Sequence, residues 1–98
     1  MHLLVVYDIA ISESGTRRLA KTAKICERYC TRVQDSVFEG TLDESELTKL
    51  QNELKNVIDA TCDSVRIYRL SDNSNSVNPI TIGQKTKTEQ FTNDTFIL

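Results

Sequence analysis

Residues 3–10 read LLVVYDIA. Leu3, Leu4, Val5, Val6 and Tyr7 make an unbroken apolar and aromatic run. It has the length of a strand rather than a helix, and its lack of alternation predicts burial on both faces. We place the first strand at 2–9. Asp8 falls where that strand leaves the core, so a carboxylate stands at the edge of the interior within the first ten residues.

Working outward, SESG at 12–15 is a polar turn that offers Ser12 or Ser14 as a helix N-cap. From Thr16 to Cys30 the apolar residues Leu19, Ala23, Cys26 and Cys30 recur at helical spacing, which predicts one buried face. Arg17, Lys21, Lys24 and Arg28 recur at the same offsets and form a basic ridge on the outer side. TRVQDSVFEGTL, 31–42, is rich in β-branched and aromatic residues and reads as extended. Gln34, Asp35 and Ser36 interrupt its pattern, as either a bulge or a very tight turn between two short strands would require. LDESELTKLQNELKNVID, 42–59, reads as a second helix. Asp43 and Glu46 form a variant capping box, and Leu47, Leu50, Leu54, Val57 and Ile58 form a buried stripe. DSVRIYRL, 63–70, alternates as a strand.

The order β-α-β(β)-α-β, with both helices on one face of an antiparallel sheet, is the α+β ferredoxin-like plan. Residues 1–70 form the domain. Residues 71–98 form a polar linker, a short fifth strand at ITIG and a polar tail ending in FIL, suited to pairing with a sheet edge, its own or, more naturally, a partner's.

A chain of 98 residues makes one domain with little spare interior, so a cleft shared by two copies is the natural place for a site. The net charge of −2 conceals a segregation by sign. Arg17 to Arg32 holds six Lys/Arg and one acid, whereas Asp35 to Asp63 holds eight acids and two lysines. The three cysteines lack a framework spacing, no basic region precedes the LLVV run, and no apolar run approaches the ~18 residues of a membrane span. A reducing cytoplasm is the expected setting. His2 is the only histidine, which argues against a His/Cys zinc site and a Ser-His-Asp triad.

Two readings of Asp8 stand side by side: a strand-ending hydrogen-bond acceptor for the next turn, and a metal ligand. Mg²⁺ and Mn²⁺ are held by one or two carboxylates together with waters and phosphate. One Asp per chain is a thin site, but a two-fold axis beside this strand end would bring two together. The basic ridge is either a solvated face or a phosphate contact. The near-absence of interleaved acids favours phosphate. Arg66 and Tyr68 share a strand face, and Phe38 is either core or a base-stacking surface.

As a set, VVYDI in the first strand, Arg18 and Lys21 in the first helix, RVQDSVFEG at 32–40 and DSVRIYRL at 63–70 resemble the small CRISPR-associated endonuclease family, the partner of the spacer integrase. The resemblance covers about residues 1–70. It implies a ferredoxin-like homodimer in which C-terminal strands extend to the partner's sheet. It also implies a bridging role in the adaptation complex with the CRISPR integrase and incoming DNA, and metal-dependent cleavage of single-stranded RNA or double-stranded DNA. On this resemblance Asp8 is the Mg²⁺ ligand given once by each protomer, and Tyr7, Arg18, Arg32, Ser36 and Phe38 surround the cleft. Asp35 departs from relatives that carry an aromatic there. The alternative function is a non-catalytic, DNA-binding scaffold of the integrase complex; a toxin-like RNase of the same fold is a third reading.

Overall fold

A computed structural model of the chain describes residues 1–70 and 79–84; the readings made on 71–78 and 85–98 lie outside it. Strand β1 (His2–Asp8) is followed by helix α1 (Glu13–Tyr29), strands β2 (Thr31–Gln34) and β3 (Val37–Thr41), helix α2 (Glu44–Val57), and strands β4 (Ser64–Arg69) and β5 (Ile80–Gly83). The sheet order is β2-β3-β1-β4-β5 and every pairing is antiparallel. The first four strands and two helices are the ferredoxin-like arrangement expected from the sequence. Its central strand is β1, the LLVVYD segment.

Alternation along β1 separates two faces. Leu3, Val5 and Tyr7 are buried with Phe38, Val65, Ile67 and Ile82 beneath Ile25 and Cys26 of α1 and Leu47, Leu50 and Leu54 of α2. On the opposite face Leu4 and Val6 are only half-buried, so β1 is buried on one face rather than both. Register places Val37, Glu39, Arg66 and Tyr68 beside them.

Both alternatives for 34–36 occur together. Asp35 and Ser36 form a two-residue turn, and the β2–β3 register shifts between Arg32 and Gln34, leaving Val33 exposed. The capping box on α2 is complete: Asp43 Oδ1 accepts from the Glu46 amide (2.7 Å) and Glu46 Oε1 accepts from the Asp43 amide (3.0 Å). Ser12, not Ser14, caps α1, accepting from the Gly15 amide at 2.9 Å.

One expectation changes. The buried residues of α1 are Gly15, Thr22, Ile25 and Cys26, while Leu19 is 45% exposed and Ala23 half-buried. Two anchors set this rotation. A Cβ on Gly15 would lie 2.0 Å from the Ala10 carbonyl oxygen, so the helix start touches the preceding loop directly. Arg18, which the resemblance places at the cleft, turns inward to a buried carboxylate. In the tail, Ile80–Gly83 pairs with the chain's own β4, one of the two edges, its own or a partner's, that the sequence reading left open. Gly83 ends that strand at φ +89°, a left-handed conformation suited to glycine, and the Gln84 amide then bonds the Asp63 carbonyl at 2.8 Å.

Candidate active site

At the end of β1 the chain must leave the sheet, and the register opposes Asp8 to Ser64 of β4. The Asp8 side chain is exposed and takes no hydrogen bond or ion pair from the described residues. The turn-acceptor reading of this residue therefore falls away. The acceptor for that turn is Asp63, the neighbour of Ser64. Its side chain is fully buried. Oδ1 accepts from the Ala10 amide (2.9 Å) and Oδ2 from the Asp59 amide (2.8 Å) and from Arg18 Nε (2.7 Å). Arg18 Nη2 adds a longer contact to Oδ1 at 3.3 Å. Burial alone would push the Asp63 carboxyl up; the Arg18 guanidinium and the Ala10 and Asp59 amides outweigh it and hold the group below its ordinary value.

Arg18 is thereby committed to Asp63 and does not line the cleft beside Asp8. Its third nitrogen, Nη1, donates to Ser14 Oγ at 2.9 Å, so the whole guanidinium is engaged within the chain. Through Asp63, Arg18 fixes α1 against the loop that follows Asp8.

Beside Asp8 lies an open cleft of about 600 Å³. Its floor is Tyr7 and Ile9, one wall is Thr16, Leu19, Ala20 and Ala23 of α1, and Asp8, Arg32, Asp35 and Ser36 complete the lining. The structure thus brings together Asp8, Tyr7, Arg32 and Ser36 of the expected set. Phe38 is fully buried, which excludes it as a base-stacking surface. It instead supports the site from below: its ring stacks on Tyr7 with centroids 6.0 Å apart, and the Arg32 guanidinium carbon sits 5.1 Å above it. The Tyr7 phenol donates to the Asp35 carbonyl oxygen (3.2 Å) and its amide to the Ser36 carbonyl oxygen (3.1 Å). Burial, chiefly, raises the Tyr7 pKa, and the phenol's hydrogen bond braces the β2–β3 turn.

The basic ridge lies elsewhere. Lys21, Lys24 and Arg28 border a groove between α1 and α2 that also contains Glu53 and Asn56. Arg28 pairs with Glu53, which also accepts from the Tyr29 hydroxyl. Arg17, Lys21 and Lys24 are exposed. Cys26 is small core filling, as expected, and burial pushes its thiol up to about 12. Among the described residues no three His, Cys, Asp or Glu side chains cluster to hold a metal. No described helix is long and apolar enough to cross a membrane.

The model of the family described as CRISPR associated protein Cas2 matches residues 1–77. The chain belongs to the Cas2 family. It is 50% identical over 74 residues to a CRISPR-associated endonuclease Cas2 of Halalkalibacterium halodurans, covering 74% of this chain and 77% of the relative. It is 38% identical over 92 residues to a CRISPR-associated endoribonuclease Cas2 of Fusobacterium nucleatum, covering 93% and 86%. Among solved structures, Streptococcus pyogenes Cas2 at pH 6.5 superposes with a TM-score of 0.69 at 39% identity over 74% of this chain and 89% of that one.

Within this Cas2 fold, sequence reasoning missed Asp63 and the wall formed by Leu19. Asp63 was read as the first residue of a strand, because nothing local marks its partner: Arg18 lies in another element and far away in the chain. An acid preceding a buried strand, beside an arginine-bearing helix, was the available signal. Leu19 was assigned to the core because apolar periodicity reports a face without saying what that face meets.

Proposed function

We propose that this chain is a CRISPR-adaptation endonuclease that acts as a homodimer with the CRISPR integrase, cutting single-stranded RNA or double-stranded DNA with Mg²⁺ or Mn²⁺ shared between two Asp8 carboxylates. The observation that carries the reading is Asp8 itself: an exposed, unpartnered carboxylate held on a rigid central strand at the rim of a cleft. The names of the curated relatives, endonuclease and endoribonuclease, support the same chemistry.

The residues fit a hard divalent cation only if a second chain contributes. One carboxylate with free oxygens suits Mg²⁺, which keeps several waters and is commonly completed by another carboxylate and by phosphate. The half-buried face of β1 offers a surface for that second copy. Leu4, Val6 and Val37 lie there, and so does Arg66, whose Nε is buried without a hydrogen-bond partner among the described residues. Bound at paired Asp8 residues, the ion would supply positive charge for a phosphate and lower the pKa of a coordinated water. The chain's own residues orient the substrate. Arg32, seated on Phe38, offers its guanidinium to a phosphate, and Ser36 presents a hydroxyl at the same rim. Tyr7 and Arg18 hold the two flanking loops in place.

The test is Asp8→Ala in the purified dimer. Mg²⁺-dependent cleavage falls to background while sedimentation still shows a dimer; undiminished cleavage would refute the reading. A second reading, a non-catalytic scaffold gripping DNA for the integrase, is favoured by the separation of exposed Arg17, Lys21 and Lys24 from the Asp8 cleft. Spacer acquisition that persists at wild-type level in Asp8→Ala would support it.

A further inference from the structure

The cleft beside Asp8 has a composition that a metal site alone does not explain. Its α1 wall is largely apolar and accessible: Leu19 is 45% exposed, with Ala20 and Ala23 beside it and Thr16 nearer the helix start. The same cleft is lined by two opposite charges on the β2–β3 hairpin, Arg32 and Asp35. Arg32 is held in position over Phe38. The Asp35 carboxylate is exposed and receives no hydrogen bond from the described residues; only its backbone carbonyl is used, by Tyr7. The volume, about 600 Å³, lies within the range of small-molecule pockets, ~300–1,000 Å³.

We infer that this cleft is the seat of one unpaired nucleotide, and that Asp35 selects bases presenting an amino edge. The inference rests on the nucleic-acid reading above and adds a base preference to it. An apolar wall next to a cation and an anion matches the three parts of a nucleotide. The flat base lies against Leu19 and the alanines. Its phosphate meets Arg32. The base edge meets Asp35. A carboxylate only accepts hydrogen bonds, so it needs donors. Cytosine offers N4–H₂ and adenine N6–H₂. Uracil presents its single ring N–H between two carbonyl oxygens, which face a carboxylate unfavourably. A base paired and stacked in a duplex cannot lay its face against the Leu19 wall, so the seat takes single strands.

The test titrates the full chain, in EDTA, with fluorescein-labelled trimers of C and of U, each in ribo and deoxyribo form, by fluorescence anisotropy. Omitting divalent metal separates this claim from cleavage: failure of the paired-Asp8 reading leaves these titrations unchanged. The C trimers bind about tenfold tighter than the U trimers, the discrimination expected of one good edge contact. Asp35→Asn, whose amide both donates and accepts, brings C and U together. Leu19→Glu, at a half-exposed position, weakens all four trimers by about tenfold or more without lowering the melting temperature. The tighter-binding sugar identifies whether the seat serves RNA or DNA. Equal affinity for C and U in the unaltered chain would overturn the inference, as would a preference that survives Asp35→Asn.

Discussion

Asp8 and Asp63 stand at the same end of neighbouring strands, since Asp8 is in register with Ser64. Their surroundings are opposite. Asp63 is enclosed, with two amides and a guanidinium on its oxygens. Asp8 is exposed and unpartnered among the described residues. A carboxylate whose oxygens are already satisfied can organise a fold but cannot take a ligand. One left unsatisfied on a rigid strand does little for the fold and is free for chemistry. The saturated aspartate also serves the open one, because its bond to the Ala10 amide fixes the chain where it leaves β1.

The contrast is most sharply broken by Asp63→Ala. That change leaves the Arg18 guanidinium without its counter-charge, strips two amides of their acceptor, and is expected to cost about 3–5 kcal/mol in urea unfolding. Gly15→Ala attacks the same joint sterically. The added methyl meets the Ala10 carbonyl, and the α1 start must shift, at about 1–3 kcal/mol in the same assay.

Acid titration sharpens the contrast further. Asp63 is held below its ordinary pKa in the folded chain, so its contribution is fully present above the unfolded carboxylate value, about 4, and is lost as pH falls through the lower folded value. Asp63→Asn removes that contribution: the variant is less stable at neutral pH, and the gap from wild type closes as pH drops below about 4. The smallest effect on stability belongs to Asp8→Ala, within about ±0.5 kcal/mol, despite its expected loss of cleavage. A large destabilisation there would show that Asp8 has a structural partner after all.

The same two aspartates show what the sequence could reveal. Strand β1, the capping box at Asp43 and Glu46, and the leucine stripe of α2 are local patterns, and each appeared where it was read. Asp8 stood out because it ends an apolar run. Asp63 did not, because its role depends on Arg18 being rotated inward, and that rotation depends on Gly15 touching Ala10. Leu19, expected in the core, is half-exposed for the same reason. Periodicity fixes which residues share a helix face, while a close backbone contact decides where that face points.

The central claim is that Asp8 acts in pairs, and the stoichiometry of Mn²⁺ binding tests it most directly. Calorimetric titration of the purified chain is predicted to give one Mn²⁺ for every two chains, abolished by Asp8→Asn. One Mn²⁺ per chain, or binding that survives Asp8→Asn, would contradict it.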